Sequence, residues 1–166
     1  AGSQKALALP PGITVVCASA RYLEGARERK RGSTYLDPVE IIDGHAERKT
    51  PSTPAIGLYY GLARQLEDIS AGLLLPERER RAKGAEAWRA RFEVHRRMRA
   101  MMLAWAARHG FEPLPAPSER SPTVSCIQAG KGLDVKLLLQ GLEACGHQIS
   151  DGYGELKGKT FRVGHL

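Results

Sequence analysis

Gly2-Ser3-Gln4-Lys5-Ala6-Leu7-Ala8-Leu9-Pro10-Pro11-Gly12 leads directly into Ile13-Thr14-Val15-Val16-Cys17-Ala18. Glycine, serine and a proline pair mark the first part as loop, and the β-branched run after it predicts a short buried strand. A lysine is thereby set among small residues just upstream of a strand. Such an amine is a candidate nucleophile if burial or a neighbouring positive charge lets it lose its proton near neutral pH. Small neighbours would also let a flat ligand approach the backbone. Any surface lysine has the same formula, so from these residues alone both readings of Lys5 stand.

Working outward, Ser19 can cap a helix over Ala20 to Lys30, whose last turn is basic and for which Gly32 is a stop. Asp37-Pro38 opens another short helix, since aspartate caps and proline suits the first helical position. Thr50-Pro51-Ser52-Thr53-Pro54 is irregular, because each proline pushes its predecessor out of the helical region. From Ala55 the residues Ile56, Tyr59, Tyr60, Leu62, Leu66, Ile69 and Leu73 recur at helical spacing, which sets Thr53 at a helix start.

A break at Gly72 to Pro76 precedes one long predicted helix from Glu77 to about Arg108, ended by His109-Gly110. Trp88, Phe92, Met98, Met101, Met102 and Trp105 read as its core face, and His95 and His109 as surface residues. Beyond the proline-rich Glu112 to Pro122, the pattern predicts a strand over Thr123 to Ile127 and a helix over Asp134 to Ala144 closed by Gly146. Strands at Gln148 to Ser150 and Thr160 to Val163 follow. The second half is thus expected to be a small α/β layer in strand–helix–strand–strand order. Tyr153, in a glycine-rich turn, is expected to pack rather than react.

The chain has 166 residues, 42% hydrophobic and 26% charged, an ordinary globular composition that excludes disorder of the whole chain. Ala1 is not a methionine, and Phe161 to Leu166 reads as a strand without a polar tail, so both ends are expected to be cut from something larger. The net charge is +7, with much of the excess between Arg78 and Arg99. Glu77, Glu79, Glu86 and Glu93 alternate with those arginines, which favours a solvated helix face over a nucleic-acid surface. The three cysteines, Cys17, Cys126 and Cys145, are far apart and show no CxxC spacing, which argues against a disulfide framework or a metal site and for a reducing, cytoplasmic compartment. No run approaches the about 18 apolar residues of a membrane span. No signal peptide is visible, and targeting at a missing N-terminus would not be observable.

Arg162 lies on the last predicted strand between Phe161 and Val163. An arginine so placed is either paired for structure or offered to a planar anion such as a carboxylate, which its fork binds bidentately.

Four segments share a further property. Ser3-Gln4-Lys5-Ala6-Leu7 with Pro10-Pro11-Gly12 resembles the cofactor-lysine segment of class V aminotransferases, the group that includes alanine–glyoxylate and serine–glyoxylate aminotransferases. Thr50-Pro51-Ser52-Thr53-Pro54 is similar to that family's Thr-Pro-x-Thr-Pro segment. Arg120-Ser121-Pro122-Thr123-Val124 resembles its small-domain strand, and Lys157-Gly158-Lys159-Thr160-Phe161-Arg162-Val163-Gly164-His165 its closing motif. The matches occur in family order and reach from one end of the chain to the other.

The resemblance implies an α/β chain with the fold-type I architecture of pyridoxal-phosphate transferases. Residues 1–75 would be the end of the large cofactor-binding domain, and 76–166 most of the small C-terminal domain, truncated at its end. Lys5 would hold pyridoxal 5'-phosphate as an imine and move the proton at the substrate's α-carbon, with Gln4 beside it in contact with the cofactor. Thr53 would bind the phosphate of the cofactor in the partner subunit of a homodimer with shared active sites. Arg162 would hold the substrate's α-carboxylate, and no metal is implied. The reaction implied is amino transfer between a small amino acid, such as alanine or serine, and a 2-oxo acid such as glyoxylate or pyruvate. The family's aspartate at the pyridine nitrogen, ring-stacking aromatic and phosphate loop lie upstream of the lysine, so this stretch alone is expected to be inactive.

Among competing readings, a cysteine desulfurase of the same superfamily would carry His before the lysine, where Gln4 stands, and a mobile-loop cysteine, whereas Cys126 falls in a strand pattern. A basic nucleic-acid-binding module would interleave aromatics with its arginines, but Trp88 and Phe92 fall on the apolar face. A noncatalytic scaffold would have no need of both Lys5 and Arg162.

Overall fold

The computed structural model describes residues 2–29 and 36–165. Contacts divide the chain into two compact units, Ala1–Leu66 and Glu67–Leu166.

In the first unit the lysine loop folds on Ser3, which is wholly buried. Ser3 N donates to Ile13 O at 2.9 Å and its hydroxyl to Pro10 O at 2.7 Å, while Leu9 N donates to Ser3 O at 3.1 Å. The buried strand expected over Ile13 to Ala18 is not formed. Among the described residues the run makes an isolated antiparallel bridge, Gly2↔Thr14, and Val16 is 74% exposed. Strand propensity acts through side-chain packing on neighbouring strands, and the segment facing this run is the Gly2 loop rather than a ladder.

Helix α1 spans Ala20–Arg27, and its cap is Ser19, whose hydroxyl accepts from Tyr22 N at 3.2 Å. Lys30 and Gly32, at the expected helix end, lie outside the described residues. Helix α2, Pro38–Ala46, starts where Asp37 Oδ1 accepts from Val39 N at 2.8 Å. The Arg27 guanidinium joins the two helices through Asp43, with contacts of 2.6 and 2.8 Å. Helix α3, Ile56–Ser70, runs across the border of the units, and its apolar stripe is largely exposed at Ile56, Tyr59, Tyr60 and Leu66.

In the second unit the single helix expected from Glu77 is interrupted. A 3₁₀ turn covers Glu77–Glu79, and helix α4 begins anew and spans Gly84–Arg108. Gly84 has φ +54°, a left-handed conformation through which a right-handed helix cannot run. Side chains seal the break: Arg80 Nε donates to Leu75 O at 3.2 Å and Lys83 Nζ to Arg80 O at 3.1 Å. The face of α4 also differs from expectation. Ala87, His95 and Ala106 are its buried residues and Met102 and Trp105 pack on the core, whereas Phe92, Met98 and Met101 are exposed. Its basic side follows the solvated reading. Glu79 accepts from Arg97 at 2.7 Å and from Arg78 at 3.3 Å, and Arg96 pairs with Glu93.

Strands β1 (Val124–Gln128), β2 (Ser150–Asp151) and β3 (Thr160–Gly164) form an antiparallel sheet in the order β1–β3–β2. Helix α5, Val135–Ala144, lies between β1 and β2 in sequence, and Asp134 Oδ1 caps it from Lys136 N and Leu137 N at 2.8 and 3.2 Å. This is the strand–helix–strand–strand order expected. The core joins Ala106, Ile127, Ala129, Val135 and Phe161, with Phe111 edge-on to Phe161 at 5.7 Å. Burying a phenylalanine or isoleucine side chain contributes about 1.5–3 kcal/mol each, so Phe161 and Ile127 anchor β3 and β1 and with them the register at Arg162. Among the described residues no helix is long and apolar enough to cross a membrane.

Candidate functional site

Register places Arg162 in the middle of β3, opposite Cys126 of β1 and Ser150 of β2. It is half-buried, and its Nε donates to the main-chain oxygen of Asp151 at 2.8 Å. Among the described residues it makes no ion pair. A backbone carbonyl has a dipole but no net charge, so this bond holds the guanidinium without neutralising it, and among the described residues its Nη groups make no hydrogen bond.

Asp151 is itself part of a closed connection between β2 and β3. Its Oδ1 accepts from Gly152 N at 2.7 Å and from Gly158 N at 2.8 Å, and Gly152 N also donates to Thr160 O at 2.9 Å. A Cβ on Gly152 would overlap the Leu156 carbonyl oxygen, so only glycine fits there. Tyr153, expected to pack, is exposed at the tip of this connection; the tightness of the turn comes from its hydrogen bonds rather than from an aromatic anchor. Nothing in the sequence reading singled out Asp151. The available signal was the Asp-Gly pair, whose carboxylate bonds to main-chain N–H groups in turns.

Lys5 is exposed in its loop, where its carbonyl accepts from Ala8 N at 2.8 Å. Its amine makes no hydrogen bond or ion pair among the described residues, and they do not supply the burial that amine chemistry asks for. Gln4 lies with its amide over Gly2, where a Cβ would collide with Oε1. Thr53 precedes the first residue of α3 by three positions and is exposed. Its hydroxyl makes no hydrogen bond among the described residues, so it does not cap α3. Lys5, Gln4 and Thr53 belong to the first unit and Arg162 to the second.

One of the two histidines expected at the surface falls otherwise. His95 is buried, not a surface residue, and its Nδ1 lies 2.8 Å from His165 O. The spacing Ala87, His95, Met102, Ala106 follows one helix face and carried the signal; the hydrophobic pattern overlooked it because the imidazole counts as polar. His165 is buried beside β1, with Nε2 3.0 Å from Ser125 Oγ and Nδ1 3.1 Å from Pro122 O. Burial pushes its pKa below the usual histidine value, against the pull of the Pro122 carbonyl. His109 is exposed.

No family model matches the chain. The chain is 32% identical over 169 residues to the L-aspartate–glyoxylate aminotransferase of Paracoccus denitrificans, a match that covers 99% of this chain and 39% of that protein. It is 28% identical over 172 residues to the serine–glyoxylate aminotransferase of Methylorubrum extorquens, covering 100% of this chain and 40% of that one. Among solved structures, an aspartate aminotransferase of subgroup IV from Thermus thermophilus superposes with a TM-score of 0.74 at 30% identity, over 98% of this chain and 41% of that chain. The chain spans about two fifths of the length of the curated relatives it matches.

Proposed function

We propose that this chain, which by sequence and fold corresponds to the carboxy-terminal portion of a class V, fold-type I aminotransferase, carries the cofactor lysine and the substrate arginine of a pyridoxal-phosphate-dependent enzyme. The reaction is amino transfer between a small amino acid and a 2-oxo acid such as glyoxylate or pyruvate. The observation that carries this reading is the match itself, which runs the length of the chain and takes in all four motifs.

Pyridoxal 5'-phosphate asks for a primary amine and for donors to its phosphate. The donor set fits: Lys5 offers an amine and Thr53 a hydroxyl, each without a partner among the described residues. When bound, the cofactor supplies the electron sink for charge developing at the substrate's α-carbon. Lys5 Nζ would hold the cofactor and would be the base that takes and returns the α-carbon proton. Gln4, at the adjoining position, would contact the cofactor. Thr53 would donate to the cofactor phosphate of the partner subunit, in a homodimer with shared sites. The Nη groups of Arg162 would bind the α-carboxylate.

The remaining cofactor contacts would belong to a longer protein, of which residues 1–75 complete the large domain and 76–166 form most of the small one. This division follows the sequence break at Gly72 to Pro76. A reducing, cytoplasmic setting fits the free Cys17, Cys126 and Cys145.

The test is to incubate the full-length protein with pyridoxal phosphate, reduce it with borohydride and map the modified lysine. A pyridoxyl group on Lys5 is expected; a group elsewhere, or none, would overturn the assignment.

A further inference from the structure

We propose that Asp151 is the positioning residue for Arg162, and that because of it Arg162 takes a substrate carboxylate end-on, through Nη1 and Nη2. The inference rests on the reading of Arg162 as the substrate arginine. A guanidinium can meet a carboxylate side-on through Nε and one Nη, or end-on through both Nη groups. The bond from Nε to Asp151 O at 2.8 Å removes the side-on mode. The direction of the fork is therefore set by where that carbonyl sits.

The carbonyl belongs to the last residue of a strand only two residues long, Ser150–Asp151, which pairs with Arg162 and Phe161 of β3. So short a strand does not fix its own end. The Asp151 carboxylate does so, by accepting the N–H groups of Gly152 and Gly158 and thereby closing the connection back on its first residue. Bonds to an ionised acceptor are the stronger kind. One residue thus supplies both the carbonyl that aims the arginine and the carboxylate that holds that carbonyl still.

Removing the carboxylate frees the Gly158 N–H and lets the carbonyl shift, with Arg162 following. An interaction made equally in ground and transition state is weakened, so KM should rise while kcat stays near its original value.

The experiment uses the full-length protein loaded with pyridoxal phosphate and compares Asp151→Ala, Asp151→Asn and Arg162→Lys. It measures kcat and KM for the amino acid, and the Kd of glycolate, an unreactive carboxylate, by calorimetry. Asp151→Ala is expected to raise KM and the glycolate Kd roughly tenfold with kcat within about threefold. Asp151→Asn keeps an oxygen that can accept both N–H groups and should recover most of the loss. Unchanged KM and Kd in Asp151→Ala, or a fall in kcat alone, would overturn the proposal. Should Asp151→Ala not fold, Asp151→Ser, which keeps one acceptor at shorter reach, is judged by the same two outcomes. If Arg162→Lys leaves the glycolate Kd unchanged, the reading of Arg162 fails and the proposal falls with it, whereas a weakened Arg162→Lys beside an unaltered Asp151→Ala rejects the proposal alone.

Discussion

Ser125 and His165 meet inside the second unit, with the serine hydroxyl 3.0 Å from Nε2 of the imidazole. The other ring nitrogen faces the Pro122 carbonyl at 3.1 Å, and a carbonyl can only accept. The neutral ring therefore carries its proton on Nδ1 and accepts from Ser125. The His165 carbonyl in turn accepts from His95 Nδ1 at 2.8 Å, which ties the end of β3 to α4.

Stability should fall on mild acidification because of this ring. Burial holds the folded-state pKa of His165 below the unfolded value of 6.5, with His95 and Arg99 adding to the effect. The unfolded chain then binds the proton more readily, so the contribution is fully present above pH about 6.5 and is lost as pH falls from there through the lowered folded pKa. Urea unfolding at pH 7.5 and at successively lower pH measures the slope. His165→Gln, which does not titrate, should flatten it, and an unchanged slope would refute this account.

Two glycine-to-alanine changes should have opposite signs. Gly152→Ala forces a Cβ into the Leu156 carbonyl and should be strongly destabilising, by more than about 2 kcal/mol. Gly141→Ala lies inside α5 with nothing within 4 Å of the new carbon and should stabilise by about 0.5–1 kcal/mol. Urea midpoints of the two variants decide it.

Phe161→Ala should remove about 3–5 kcal/mol, because a 2% exposed ring packed against Phe111 leaves a cavity at the sheet centre. Ile127→Val, at the facing register position, should cost about 0.5–1.5 kcal/mol. Equal losses for the two would show that the site collapses around the change.

Thr53→Ala separates binding from capping. A cap loss typically costs about 1 kcal/mol, but this hydroxyl caps nothing among the described residues, so the melting temperature without cofactor should stay put. Affinity for pyridoxal phosphate in the full-length protein should drop by about tenfold, the equivalent of one lost hydrogen bond to a charged group. A lower melting temperature with unchanged affinity would assign Thr53 to structure instead.

Much of the local structure was legible. Ser19 and Asp37 each cap the helix that their positions predict, because a cap needs only a side-chain oxygen and the N–H groups two or three residues on, and Asp134, expected as the first residue of its helix, caps it instead. The order of elements along the second unit, strand–helix–strand–strand, followed from alternating apolar residues and glycine punctuation. Ile13 to Ala18 misled because a β-branched run announces a strand only where a neighbour pairs with it. The α4 start misled because charge periodicity continues through Lys83-Gly84 while the backbone at Gly84 turns left-handed.

The sequence by itself determined the family likeness, the loop that presents Lys5 and the strand that bears Arg162, since these depend on residue type and short spacing. Only the tertiary structure decided that Arg162 Nε bonds the Asp151 carbonyl, that His95 is buried against the end of β3, and that the Thr53 hydroxyl makes no hydrogen bond among the described residues. Each of these depends on which polar group meets which across the fold. Hydrogen bonds act over about 3 Å, a distance that spacing along the chain does not encode for residues 11 or 70 positions apart.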